Sequence, residues 1–136
     1  RPRILFEEYL DEMEYELHFF LFYGKCRMTE VVTRGFDFLR GESYRNYDAD
    51  WTRLEPGSKQ IASCYDNSPA ETPRPDSTVL RSLEELCRDI DHVRADFFVC
   101  RGEMFFGEFT FTHNRGLKSL LGKYEDKLSH YWPAAG

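Results

Sequence analysis

Two runs of aromatic and β-branched residues, each folding back at a glycine, constrain this chain more than any other feature. In the first, Glu16–Tyr23 (ELHFFLFY) is followed by Gly24-Lys25 and then by Cys26–Thr33 (CRMTEVVT). In the second, His92–Val99 (HVRADFFV) is followed by Gly102 and the return run Glu103–Thr112 (EMFFGEFTFT). Residues of this kind suit a pleated, half-buried surface, and a glycine between two such runs signals a hairpin. A lone hairpin is marginal in water, so both are expected in one antiparallel sheet.

The rest of the pattern sets what flanks that sheet. Val79, Leu80, Leu83, Leu86 and Ile90 recur at helical spacing, which predicts a helix over Asp76–His92 with Asp76 or Ser77 as its N-cap. Glu84 and Arg88 are placed as an i,i+4 pair. Arg3–Leu10 reads as a short strand entering a charged turn at Asp11–Glu14. Leu117, Leu120, Leu121, Tyr124 and Leu128 give the tail a short helical pattern. Between the hairpins, residues 34–75 lose periodicity and carry Gly35, Gly41, Pro56, Gly57, Pro69, Pro73 and Pro75. They read as a long loop, uncommon in a compact domain, that either lines a functional surface or is partly mobile. Its aromatics Tyr44, Tyr47 and Trp51 either pack on the sheet or stack on a ligand. The fold class is α+β, an antiparallel sheet of two hairpins with flanking helices.

Composition narrows the function. At 136 residues the chain fits one domain, and 41% hydrophobic content is enough for a core. A formal charge of -6 argues against a general nucleic-acid binder, but it leaves room for a nucleotide, which needs only local cations and a metal. Cys26, Cys64, Cys87 and Cys100 show no C-x-x-C spacing and no paired histidines, so buried reduced thiols fit better than a zinc site. No apolar run reaches ~18 residues and no secretory signal opens the chain, which reads as a cytoplasmic protein without a membrane span.

The second hairpin carries the chemistry. A two-residue loop, Arg101-Gly102, would put Asp96 and Glu108 on opposite faces. A three-residue loop, Cys100–Gly102, would put Arg94, Asp96, Phe106 and Glu108 on one face, with the acids diagonal. The three-residue form, closed by a left-handed glycine, is the expected register. Two carboxylates on one mostly apolar face repel, and a hard cation such as Mg²⁺ would relieve that by bridging to phosphate oxygens. The alternative is a cross-strand ion pair between Arg94 and Glu108, with Asp96 at a solvated rim.

The run RADFFVCRGEMFFGEFTFT resembles the Arg-x-Asp … Phe-Gly-Glu-Leu-Thr-Phe segment of TupA-like ATP-grasp proteins. RPRILFEEYL resembles that family's hinge strand, HFFLFYGKCRM its aromatic hairpin, and RNYDADW the aromatic–acidic stretch after it. The resemblance implies that Asp96 and Glu108 hold the metal ions bridging the ATP phosphates. It places Arg94 beside them on phosphate or substrate, and the backbone of Glu7, Glu8, Tyr9 and Leu10 against adenine. Thr110 stands where many relatives have an asparagine ligand. His18 replaces the usual lysine, which would leave a substrate contact weakened or pH-dependent. His113-Asn114-Arg115-Gly116 replaces a Pro-Gly-Ser-Gly-like turn.

The resemblance further implies a partial domain over 1–136, the C-terminal portion of the fold. The phosphate-binding lysines and glycine-rich loop would come from the missing N-terminal portion. The implied activity is an ATP-dependent ligase with a carboxylate and amine substrate pair, using ATP and Mg²⁺ in cell-surface polysaccharide or polymer biosynthesis. The alternatives are a truncated or degenerate lobe, or an accessory to a polysaccharide glycosyltransferase.

Overall fold

The computed structural model describes residues 9–34, 42–55, 72, 74–112, 128, 130 and 131. Its elements are β1 (Met13–Phe22), β2 (Lys25–Arg34), β3 (Glu42–Asp48), β4 (Arg53–Leu54), α1 (Ser77–Leu86), β5 (Val93–Cys100) and β6 (Glu103–Thr110). The strands form one six-stranded sheet in the order β4-β3-β2-β1-β5-β6. Every neighbouring pair is antiparallel. The two expected hairpins are therefore joined edge to edge through β1 and β5.

Both hairpin turns are two residues long. Tyr23-Gly24 and Arg101-Gly102 have positive φ at both positions (48° and 67°, 54° and 74°), the requirement of a type I′ turn whose twist matches the strands. This corrects the three-residue loop expected at Cys100–Gly102, since Cys100 faces Glu103 directly. Gly24 answers a second demand. A Cβ there would lie 2.5 Å from the Glu84 carbonyl oxygen and 2.6 Å from the Arg88 Cα. The helix docks on the turn of the first hairpin through that space.

The region 34–75, read as loop, supplies β3 and β4. The sequence of β3 alternates polar and aromatic residues too weakly to announce a strand, and pairing with β2 forms it. Tyr47 of β3 stacks on Trp51 with centroids 4.5 Å apart. The Trp51 indole N–H donates to the Thr72 carbonyl at 3.1 Å, so these aromatics are used in packing.

The helix starts where the sequence places it, with the Asp76 side chain accepting the Thr78 N–H at 2.6 Å. Its inner face differs by one position. Leu83 and Cys87 are buried, whereas Leu86 is 68% exposed. Glu84 does not pair with Arg88. It reaches the first hairpin, accepting from Lys25 Nζ at 3.2 Å and the Cys26 N–H at 3.0 Å, and Arg88 pairs with Glu85.

One core lies between the helix and the sheet. Leu17, Phe19, Leu21, Val31, Tyr47, Leu83, Cys87, Val93, Ala95, Phe97 and Val99 form it. Strand side chains alternate, so the next residues along β1, Glu16, His18, Phe20 and Phe22, turn to the other face. All four are buried too. This explains why the run reads as nearly continuous apolar sequence rather than clean alternation. Among the described residues no helix is long and apolar enough to cross a membrane. The strand expected over Arg3–Leu10 and the tail helix lie largely outside the described residues. Tyr9 and Leu10 are not in a strand.

Candidate functional site

The face away from the helix carries one polar row across the sheet. Asn46 faces Glu30, Glu30 faces His18, His18 faces Asp96, and Asp96 faces Glu108. Directly opposed residues point to the same side, so these five form a line about 19 Å long at ~4.8 Å per strand.

Asp96 and Glu108 come together by a route the sequence did not show. A two-residue turn alone would separate them. β6, however, has one residue more than β5 at this point. Phe97 faces Phe106, Asp96 faces Glu108, and Gly107 is the extra residue of a β-bulge. The bulge reverses the alternation, and the acids become direct partners rather than diagonal ones. A larger residue would be crowded there: a Cβ on Gly107 would sit 2.9 Å from Phe98 Cε2 and 3.1 Å from the Asp96 carbonyl oxygen. The same bulge moves Phe106 off the acidic face. Its ring packs edge-on against Phe97 at 5.5 Å, on the helix side, contrary to the expectation that it shares a face with Arg94, Asp96 and Glu108.

Arg94 pairs with Asp96 rather than with Glu108. Its Nε donates to Asp96 Oδ1 at 2.7 Å and its terminal nitrogen to Oδ2 at 2.6 Å, a bidentate pair with both side chains largely buried. The same nitrogen reaches Thr110 Oγ1, the residue opposite Arg94, at 3.5 Å. The expected ion-pair alternative is thus inverted. Asp96 is the buried, paired acid, and Glu108 is the exposed one.

His18 lies at the middle of the row between two acids. One ring nitrogen donates to Glu30 Oε2 at 3.0 Å and the other to Glu16 Oε2 at 3.2 Å. Both nitrogens can donate only in the imidazolium form. Burial would lower its pKa, but the bonds to Glu16 and Glu30 and the charge of Asp96 outweigh that and raise it to about 9. A fixed cation therefore stands at this position. The sequence pattern does not single out Glu16, Glu30 and Asn46. Polar residues inside an otherwise apolar strand are the available signal for the two acids, and Asn46 lies in a segment without strand periodicity.

The arrangement fits a hard divalent cation in a limited way. Asp96 and Glu108 offer oxygen donors on one face, and a carboxylate held by Arg94 keeps further lone pairs. Among the described residues no group of three or more His, Cys, Asp or Glu is placed to hold a metal. A cation here would complete its shell with water or phosphate oxygens, which is how Mg²⁺ is commonly bound. Of the hinge residues, Glu7 and Glu8 lie outside the described residues, as do His113, Asn114, Arg115 and Gly116. Tyr9 is 84% exposed and Leu10 half-buried.

Among known proteins, the family model described as TupA-like ATPgrasp matches residues 1–129 of the 136. No curated protein and no solved structure matches the chain.

Proposed function

The chain belongs to the TupA-like ATP-grasp family, and from that premise we propose that it carries the nucleotide- and Mg²⁺-binding sheet of an ATP-dependent carboxylate–amine ligase. The reaction is amide formation: ATP phosphorylates a substrate carboxylate and leaves as ADP, and an amine attacks the acyl phosphate, forming the amide and releasing inorganic phosphate and a proton. Its setting is cell-surface polysaccharide or polymer biosynthesis, as the resemblance implies. The burial of the free thiols Cys26, Cys87 and Cys100 supports a reducing, cytoplasmic compartment.

The direct pairing of Asp96 with Glu108, on the face that also carries Arg94 and His18, carries the reading. Asp96 and Glu108 would hold Mg²⁺ through their carboxylate oxygens, and the ion would supply charge neutralisation on the transferring phosphoryl group. Arg94 presents a planar fork that suits phosphate as well as carboxylate, so it positions either the nucleotide or the activated substrate. His18 keeps the positive charge that lysine provides in relatives. Glu7, Glu8, Tyr9 and Leu10 meet the adenine through their backbone groups.

A second reading has its own observation in favour. Arg94 takes both oxygens of Asp96, which would suit a degenerate lobe that keeps the sheet and binds nothing. Calorimetry with ADP, with and without Mg²⁺, separates the two on the longer parent protein that the resemblance implies, because nucleotide binding by this chain alone is expected to be weak or absent. Mg²⁺-dependent binding that falls at least about tenfold in both Asp96→Asn and Glu108→Gln is expected. Unchanged affinity in both variants would remove the metal assignment, and no binding by the unmutated protein would favour the degenerate lobe.

A further inference from the structure

A second β-bulge lies in the first hairpin. Phe20 faces Met28 and Leu21 faces Cys26, so Arg27 is the extra residue in β2. Bulges re-aim a side chain, and many lie beside working sites. Here the guanidinium is turned over the Tyr131 ring, 4.3 Å from its centroid. It lines a cavity of about 260 Å³ together with Met28, Asp48, Asp50, Leu54 and Tyr131. Arg27 Nε is buried without a hydrogen-bond partner.

The missing partner is informative because acids are close by. Asp48 and Asp50 line the same cavity, yet neither pairs with Arg27. Asp48 is committed to the turn after β3, where its Oδ1 accepts the N–H groups of Asp50 at 3.0 Å and Thr52 at 2.8 Å. A buried guanidinium donor without an acceptor is unfavourable, and a small shift of the side chain that admits a ligand oxygen would relieve it.

Resting on the ligase reading above, we propose that this cavity binds the carboxylate end of the small non-nucleotide substrate, with Arg27 as the group that reads it. The volume falls below the roughly 300–1,000 Å³ of pockets that take drug-sized ligands, which leaves no room for a nucleotide. Charge selects carboxylate over phosphate. The cavity walls include two aspartates, and a dianion would meet both, whereas a carboxylate with a nearby amine or hydroxyl donor pairs with each sign. Met28 and Leu54 receive the apolar part.

The location fits an anchor for the substrate's remote end. Met28 faces Phe20, and Phe20 faces Arg94. The cavity thus stands two strand spacings, ~10 Å, from the Arg94–Asp96 pair on the same face. Binding energy gathered there orients the reacting end beside Arg94. Arg27 is in this sense a specificity-determining residue, not a catalytic one.

The test is a titration of the metal- and nucleotide-free 136-residue chain, followed at the Arg27 Nε–H resonance by NMR. Glycolate and L-alanine are expected to shift it saturably, and methylammonium is not. Arg27→Lys, which keeps the charge and the packing stem but loses the fork, should bind at least about tenfold more weakly. Leu54→Trp, which fills the cavity and leaves Arg27 in place, should abolish the effect while the rest of the spectrum stays dispersed. A flat titration with both carboxylates would overturn the proposal. So would undiminished binding in both variants, or inorganic phosphate binding more tightly than either carboxylate. Saturable carboxylate binding by the chain, with no Mg²⁺-dependent nucleotide binding by the longer parent protein, would leave the cavity standing and sink the ligase reading instead.

Discussion

On one side of the sheet β1 contributes Leu17, Phe19 and Leu21; on the other it contributes Glu16, His18, Phe20 and Phe22. Both sides are buried, so burial does not distinguish them. What differs is what the burial does. The helix side matches apolar surface to apolar surface and gains stability at roughly 25 cal/mol per Å² removed from water. The opposite side buries Glu16, Glu30 and Asp96 with His18 and Arg94, groups whose mutual attraction must offset heavy desolvation. A sheet needing only stability would not place them there. The polar side is therefore where the function is to be sought, and the two sides should respond differently to change.

The largest effect belongs to the helix side. Phe19 is fully buried and meets Phe97 edge-on at 5.6 Å. Phe19→Ala should lower unfolding free energy by about 4 kcal/mol through lost transfer energy and a cavity. Chemical denaturation measures this, and a loss under 1 kcal/mol would mean that the helix-side core is not the main source of stability.

The polar side should instead show its character through pH. His18 has an ordinary pKa of 6.5 when unfolded and about 9 when folded. The folded state holds that proton more tightly, so its contribution is complete below about pH 6.5 and is lost as pH rises through about 9. The amount is about 3 kcal/mol, taking ~1.4 kcal/mol per pKa unit. Denaturation midpoints followed from pH 6 to pH 8, below the range where the buried Cys26 thiol, pushed up to about 11, also costs stability, should fall in the metal-free protein, and the fall should be absent from His18→Met. A flat profile in the unmutated protein would show that the imidazolium between Glu16 and Glu30 adds nothing to folding.

The same contrast explains what was legible in the sequence. The two hairpins and the helix start could be read because turn glycines, alternation and an N-cap aspartate are local signals. The strand β3 could not, since Glu42–Asp48 pairs only because β2 offers an edge. Leu86 and Cys87 exchanged roles because helical spacing fixes a stripe but not which of two neighbours faces the sheet. At the site, Asp96, Glu108 and Arg94 were found together, but for the wrong geometric reason. The Arg101-Gly102 turn is two residues long, and a bulge at Gly107 restores the shared face. A bulge leaves no periodic signature. It shows up as one glycine inside an aromatic strand. Arg27 escaped notice in the same way, as the extra residue of another bulge.

That glycine gives a smaller energetic effect than Phe19 or His18 and the sharpest separation of the two sides. Gly107→Ala puts a methyl 2.9 Å from Phe98 Cε2 and 3.1 Å from the Asp96 carbonyl oxygen. The ring edge can yield, but the backbone oxygen can move only with the strand. The cost should be about 2 kcal/mol, in the range of overpacking. Relief by losing the bulge would slip β6 by one residue and send Glu108 to the helix side. Mg²⁺-dependent ADP binding by the longer parent protein should then weaken although neither acid has been changed. Gly102→Ala is the control, because a Cβ there meets nothing within 4 Å and only its φ of +74° is unfavourable. It should cost about 1 kcal/mol and leave binding intact. Equal loss of ADP affinity in both variants would trace the effect to general weakening of the β5–β6 hairpin. Loss confined to Gly107→Ala would tie the acidic pair to the bulge that makes it.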